Sequence, residues 1–532
     1  MAEMRSCEEN RLVQRRTVLA SILAGFLTPL LTGCGDDKSG GTLRIQMPLP
    51  NELDPATLQS DLDAQLAAHV YSGLVALNAE GDPIPDLAQR WSMSADSRTY
   101  QFPLRPGLRF HDGEQLVAAH IKDTWEHLLD PRFESPRARL FLGNIVGFAQ
   151  YRNEIAQDIS GVRAVNARTL EIDLIEPDLT FPTKLTHPTT YVQAPSGIGN
   201  GASPQGSGPF AVVDWVPGEL LTLARSEGFY GFEPLLDRIE ITGRVGAQSL
   251  SGYADGSLDI LYVDANDIAA VLDRNNPLHK DLVIHNALEM TFLAMNNRIP
   301  PFDDEGVRQA FAFAIDRAAI VEQVFSNTVG KATSLLPPSL AHNGDAETVD
   351  FDIFKARQAL ADSRYRDASN LPEVTFTVPG TRGPTPPTMT ALINMFQEHL
   401  GIRVRIQREP WATFVGNLET RENPYQLFLF TRRADYPDPQ ALLDPLFRST
   451  SLSNYSGYRS PEVDALLLQA RGEQDKGRRR TTIGEIEQRI ALDAPVTPLW
   501  HGKECVLIKP WVRDVQLSAT ARPWLNRVYL DS

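Results

Sequence analysis

The chain has 532 residues, is 42% hydrophobic and 22% charged, and carries a formal net charge of −16. That length accommodates more than one domain, and the balance is that of a soluble globular protein. A net negative chain lacks the Lys and Arg excess that neutralises phosphates, which argues against nucleic acid as a partner.

Residues 1–34 read as an export signal and not as part of the fold. Arg15-Arg16 precede an apolar run from Val18 to Leu31, too short for a usual membrane span. The run closes on Leu31-Thr32-Gly33-Cys34. A basic region, an apolar core, small residues and then a cysteine make the pattern of a bacterial lipoprotein signal. It predicts lipidation at Cys34 and a location in the periplasm or cell envelope, with the lipid as the only membrane anchor. Arg15-Arg16-Thr17-Val18-Leu19 also resembles a twin-arginine export signal, and residues 36–41 read as a flexible tether. Of the three cysteines, Cys7 leaves with the signal and Cys34 is acylated. Cys505 alone remains, so neither an internal disulfide nor a cysteine metal site is expected.

Leu43 to Met47 alternates and predicts a short strand. Asp63 to Leu77 carries Leu66, Val70, Leu74 and Leu77 at helical spacing. Thr99 to Phe102 and Leu108 to Phe110 predict short strands around Pro106-Gly107, and His111-Asp112-Gly113 a tight turn. Residues 116–129 predict an amphipathic helix, and Val162 to Ile175 two alternating segments. The glycine-rich stretch 197–208 leads into strands at 210–215 and 219–225, which is the wrong order for a dinucleotide fingerprint. After Thr291, Val307, Ala310, Phe311, Ala314 and Ile315 form one helical face, with Asp303 and Asp304 placed to cap it. Then come a strand at 373–378, a helix at 388–400 ended by Gly401 and a strand at 402–406. Tyr425 to Phe430 predicts another strand, followed by helices near 461–470 and 482–492. Leu499 and Val506 to Ile508 return to strand-like sequence. Strand, helix, strand, connection, strand predicts a sheet with parallel neighbours.

The run Tyr425-Gln426-Leu427-Phe428-Leu429-Phe430-Thr431-Arg432-Arg433 stops in Ala434-Asp435-Tyr436-Pro437-Asp438-Pro439. Its first half is apolar and rich in β formers, as in a strand covered on both faces. Each proline withholds a backbone donor and keeps the residue before it extended, so the chain must leave the sheet here. Ligands in open α/β sheets sit at the carboxyl ends of strands. Asp435 is therefore either a ligand-facing carboxylate or a solvated turn residue.

Motifs for chemistry are missing. There is no His-Glu-x-x-His, no Gly-x-Ser-x-Gly and no phosphate loop. The histidines are scattered; His111, His285, His399 and His501 would need to converge in space to hold a metal. No cofactor is expected.

Several stretches in order carry a resemblance to a known family. They are Leu74 to Trp91, Thr99 to Gly113, Gly206-Ser207-Gly208-Pro209-Phe210 with Trp215, and Pro301-Phe302-Asp303-Asp304 with Val307 to Ala310 and Ala314 to Arg317. Ala434 to Pro439, Asn454 to Tyr458 and Lys509-Pro510-Trp511-Val512 complete the set. From about Leu43 to Val528 the chain resembles the dipeptide/oligopeptide-binding family of extracytoplasmic solute-binding proteins of ABC importers (family 5). The resemblance implies an α/β fold of two lobes, with a third domain and two hinge crossovers, near Glu289 and near Lys503. The implied division is a base lobe of 35–73, 196–288 and 503–532, an extra domain of 74–195, and a second lobe of 289–502.

The resemblance also implies how such a receptor works. A peptide lies extended between the lobes, pairs with backbone from both, and is enclosed by hinge closure. Asp435 then matches the residue that holds the peptide's α-ammonium. Gln59-Ser60-Asp61-Leu62 would supply base-lobe backbone, Thr431-Arg432-Arg433 the facing strand, and Trp411 a side-chain pocket wall. Tyr436 and Tyr455 lie in matching stretches. Arg432 and Arg433 depart from an aromatic common in the family. They suit acidic ligands or a C-terminal carboxylate, or else they face solvent. Some members carry paired cysteines at the positions of Glu289 and Arg433, so an ion pair is expected here instead. The expected role is a monomeric, non-enzymatic receptor that delivers peptides to permease subunits with separate ATPase subunits. The alternatives are the same scaffold with a nickel chelate, haem, opine or sugar, a surface receptor feeding a signalling pathway, or a secreted hydrolase with a carboxylate pair.

Overall fold

The computed structural model of the protein describes residues 40–58, 60–132, 135, 137–201, 203–243, 249–264, 266–340, 350–420, 422–517 and 525–531. The signal sequence, Cys34 and Gln59 lie outside the described residues.

The fold is mixed α/β, organised by an 11-stranded sheet. Its two longest strands, Leu282–Met295 and Val496–Ile508, run antiparallel to each other through the middle. Ile260–Tyr262, Thr42–Gln46, Arg238–Thr242, Leu220–Arg225 and Phe210–Val216 extend the sheet to one side. Leu427–Arg433, Val374–Pro379 and Val404–Glu409 extend it to the other. The two long strands thus serve both halves.

Their mutual register shifts twice, between Asn286 and Met290 and again between Thr291 and Phe292, and the first break is the larger. Asn286 faces Lys503, yet the next pair is Met290 with His501, so Ala287, Leu288 and Glu289 stand opposite Gly502. Extra residues on one strand bend it and increase its local twist. A side chain at 502 would be crowded there. A Cβ on Gly502 would lie 2.7 Å from Glu289 Oε1 and 3.2 Å from Glu289 Cβ.

In the second half, Val374–Pro379 pairs in parallel with Val404–Glu409 and with the start of Leu427–Arg433. The helix Pro387–Leu400 connects the first two and buries Met389, Leu392, Phe396 and Leu400. It ends where Gly401 takes a positive φ of 72°, as glycine does at this position without a Cβ penalty. Phe396 packs 4.5 Å from Phe311, the apolar face of the helix Glu305–Phe313. Asp304 caps that helix by accepting the Val307 N–H at 3.2 Å, whereas Asp303 pairs with Arg364.

Between residues 74 and 195 a separate four-stranded sheet, in the order Ser92–Met93, Thr99–Pro103, Thr169–Asp173, Val162–Asn166, carries the helix Ala118–Leu129. Trp125 of this helix is buried and donates from Nε1 to Thr190 O at 2.9 Å.

Two expected elements differ. The helix beginning near Asp63 runs over Asp61–Val70 and stops, although apolar spacing continues to Leu77. The Val70 carbonyl accepts the Gly208 N–H at 2.9 Å in place of the next helical turn, and Val75–Leu77 becomes a strand against Pro83–Pro85. Leu108 to Phe110 forms only a single bridge, Arg109 with Gln115, around the tight turn.

Candidate functional site

The strand Leu427–Arg433 pairs along its whole length with the first long strand, from Leu427 opposite Met295 to Arg433 opposite Glu289. Its other edge pairs only at Leu427 and Phe428. From Leu429 to Arg433 that second edge has no strand against it among the described residues. The backbone leaves the sheet as Ala434 donates to Leu288 O at 2.7 Å. Asp435 follows directly, with only 8% of its side chain exposed.

Asp435 does not face bulk solvent. Its Oδ2 accepts from Arg432 at 2.7 Å, and Arg137 Nη1 lies 3.8 Å from its Oδ1. Arg137 precedes the short helix Ala138–Leu142 of the 74–195 region. Its Nη1 also lies 3.0 Å from Asp61 Oδ1 and 3.0 Å from Nε2 of the fully buried His187. Asp61 Oδ2 in turn lies 3.2 Å from Arg433 Nε. Arg433 then reaches Glu504 at 2.5 Å and Glu289 at 3.4 Å. Three guanidiniums and four carboxylates therefore form one connected chain, Arg432, Asp435, Arg137, Asp61, Arg433, with Glu289 and Glu504 at its far end. Burial disfavours the charged form of Arg433, but Glu504, Asp61 and Glu289 outweigh it and raise its pKa.

The other residues singled out in the sequence fall in distinct places. Ser60 caps the helix Asp61–Val70 in a capping box: its Oγ accepts the Asp63 N–H at 3.1 Å and its own N–H goes to Asp63 Oδ2 at 2.9 Å. That N–H is spent locally, and Asp61 joins the charged group through its side chain. Leu62 packs half-buried against the core of the first half. Thr431 is exposed, and its Oγ1 lies 2.8 Å from Thr291 Oγ1.

Tyr455 packs its ring edge-on to Phe430 at 4.7 Å, and burial raises its phenol pKa. Tyr436 is buried beneath the Lys184 ammonium, which lies 5.8 Å from the ring centre. Burial, then Asp178 and Asp444, push its phenol well up. Trp411 is 66% exposed at the start of the helix Trp411–Leu418. Its ring belongs with Phe414, Tyr425 and Phe428 and not with the charged chain.

Sequence reasoning missed Arg137, His187 and Glu504. No spacing or motif links Arg137 to Asp435; only the packing of the 74–195 region against the second half brings them together. A second set of contacts does the same. Glu176 pairs with Arg448 and Arg471, both at 2.9 Å, and Leu179 donates its N–H to Arg471 O at 2.9 Å. Beside them the buried Lys184 and Asp178 form an ion pair at 2.5 Å.

Among the described residues no cluster of His, Cys, Asp or Glu has the geometry to hold a metal ion, and no helix is long and apolar enough to cross a membrane. The arrangement suits holding a charged, extended molecule against an open strand edge.

The model of the bacterial extracellular solute-binding proteins, family 5 (middle region), matches residues 82–454. The chain is 24% identical to the dipeptide-binding protein of Bacillus subtilis, over 88% of this chain and 87% of that one. It is 24% identical to the periplasmic oligopeptide-binding protein of Escherichia coli, over 94% and 95%. A heme-binding protein of Haemophilus influenzae is 26% identical over 84% of each chain. Among solved structures, an oligopeptide-binding protein of clavulanic acid biosynthesis superposes with a TM-score of 0.83 at 23% identity, covering 93% of this chain and 96% of that one. The unliganded open form of a periplasmic murein tripeptide-binding protein superposes with a TM-score of 0.78 at 22% identity, covering 92% and 97%.

Proposed function

Because the chain belongs to the bacterial extracellular solute-binding proteins, family 5, we propose that it is the peptide receptor of an ABC importer, capturing di- or oligopeptides and doing no chemistry on them. The observation that carries this reading is the strand edge at 429–433, open on one side and ending beside the buried Asp435 carboxylate. A peptide lying along that edge would gain main-chain hydrogen bonds that any sequence can make, while its α-ammonium reaches Asp435. Reading the backbone admits many sequences along the edge. An ammonium and a carboxylate about 4 Å apart, at an effective dielectric near 20, attract by roughly 4 kcal/mol before desolvation.

In this reading the segments 35–73, 196–288 and 503–532 act as the base lobe, 74–195 as the extra domain and 289–502 as the moving lobe. The register break at 287–289 against Gly502 is where the long strands would flex as the lobes close. Thr431, Arg432 and Arg433 form the ligand-facing edge, Tyr455 and Tyr436 flank it, and Asp61 with Ser60 stands on the opposing side. Trp411 would wall an outer side-chain pocket. The protein is held to its membrane by a lipid on Cys34 and acts as a monomer that hands peptide to permease subunits.

The test is a melting-temperature screen against defined peptides, followed by calorimetry and mass spectrometry of the recovered ligand. A receptor gains stability from intact peptide by mass action. Asp435→Ala should abolish tight binding, since the ligand's ammonium would then be enclosed without its partner, a cost of roughly 3–5 kcal/mol. Unchanged affinity in that variant, or cleaved peptide after incubation, refutes the reading.

A further inference from the structure

Asp435 is not a bare carboxylate. Arg432 lies 2.7 Å from one of its oxygens and Arg137 3.8 Å from the other. Arg137 also lies 3.0 Å from Asp61, so the charges at this end are balanced, and the donors around Asp435 decide whether a ligand's ammonium can bring a carboxylate beside it.

Donors for such a carboxylate are already in place. Arg432 Nε is buried and has no hydrogen-bond partner. Arg137 Nη1 has two hydrogens, directed between Asp61 Oδ1 and His187 Nε2, each at 3.0 Å. The Asp435 contact at 3.8 Å is therefore an attraction of charge without a hydrogen bond. His187 is a poor acceptor in this seat. Its Nδ1 already accepts the Thr189 N–H at 3.1 Å. A neutral imidazole accepts at only one nitrogen, so it cannot serve both the Thr189 N–H and Arg137. An arginine that competes with a backbone N–H for one imidazole is ready for a better acceptor, and a carboxylate matches the guanidinium fork.

We infer that the subsite at Asp435 selects peptides whose first residue is acidic, with the side-chain carboxylate of an Asp or Glu close to the ammonium. Asp435 takes the ammonium, while Arg137 and Arg432 Nε take the carboxylate. Arg137 is then a specificity residue supplied by the 74–195 region. This inference rests on the peptide reading above.

The experiment is calorimetry on the purified protein with Glu-Ala-Ala-Ala, Gln-Ala-Ala-Ala and N-acetylated Glu-Ala-Ala-Ala. The Glu peptide should bind at least tenfold tighter than the Gln peptide. In Arg137→Gln and in Arg432→Gln, each checked by its melting curve, that gap should shrink below threefold. Equal affinities for the two peptides in the unaltered protein, or a gap that survives both substitutions, overturns the inference. Loss of binding on acetylation leaves the peptide reading standing in either case. Failure of both free peptides to bind, or acetylation without effect, overturns the peptide reading and this inference with it. Should either variant fail to fold, the Glu-against-Gln comparison in the unaltered protein decides alone.

Discussion

Arg433 and Glu289 stand directly opposite each other on paired strands, with 3.4 Å between guanidinium and carboxylate. The ion pair expected from the sequence is present, and it is one part of a larger arrangement. Arg433 also holds Asp61 and Glu504, so a single cation separates three carboxylates.

Arg433→Ala leaves Glu289 and Glu504 without this cation, while Asp61 keeps Arg137 at 3.0 Å. All three carboxylates are about one-fifth to one-third exposed, so solvent moderates their repulsion. The expected loss is about 1–2 kcal/mol near neutral pH. It should be larger in low salt than in high salt. Denaturant unfolding at two ionic strengths checks this; a loss independent of salt would mean Arg433 acts by packing alone.

Gly502→Ala forces a methyl group against Glu289, 2.7 Å from Oε1 and 3.2 Å from Cβ. The far oxygen can swing aside, but the Cβ cannot without moving backbone. We expect a loss of about 1 kcal/mol. In a Glu289→Ala background most of that loss should disappear, which a double-mutant cycle measures as coupling.

Lys184→Met removes the partner of Asp178, which is wholly buried. Burial pushes the Asp178 carboxyl up, yet Lys184 and Arg471 outweigh it and hold the pKa below its ordinary value. Deleting the ammonium should cost roughly 3 kcal/mol, because a buried charge loses its nearest counter-ion. Thr180, which donates to the same carboxylate from its N–H at 3.0 Å and its hydroxyl at 2.6 Å, limits the damage. Asp178→Asn combined with Lys184→Met should recover much of the stability, as read from the melting temperature.

Glu487 gives a pH signature. It is 3% exposed, and burial lifts its carboxyl from 4.5 to about 7 despite a hydrogen bond from the Leu336 N–H at 3.3 Å. The folded state therefore binds a proton that the unfolded state has released. This contribution to stability is complete below pH 4.5, falls as pH rises towards 7 and is gone above it. Glu487→Gln keeps an acceptor for Leu336 and removes the titration. It should raise stability by about 2–3 kcal/mol at pH 8 and leave it nearly unchanged at pH 4. A substitution that is neutral at both pH values refutes the assignment.

Much of this architecture was legible because periodicity and punctuation agreed. The apolar run 425–430 and the prolines at 437 and 439 marked a buried strand and its end, and the helix closed by Gly401 fell where spacing placed it. What could not be read depends on distant surfaces meeting. The helix from Asp61 ends at Val70 because Gly208, far along the chain, takes its carbonyl. Ser60 was expected to offer backbone to a ligand, but its N–H closes a local cap. Arg137 and Glu504 were invisible as site residues, since an isolated Arg or Glu has no pattern until folding sets it beside Asp435 or Arg433.

A strand edge kept vacant for one guest is also a liability. Backbone donors and acceptors in a row will pair with any extended chain, including a neighbouring copy of the same protein. The charges that end this row at Arg432, Arg433 and Asp435 offer a defence, because a second copy would bring the same signs into register with themselves. Recruitment of the intended molecule and refusal of the protein's own kind would then depend on the same few side chains.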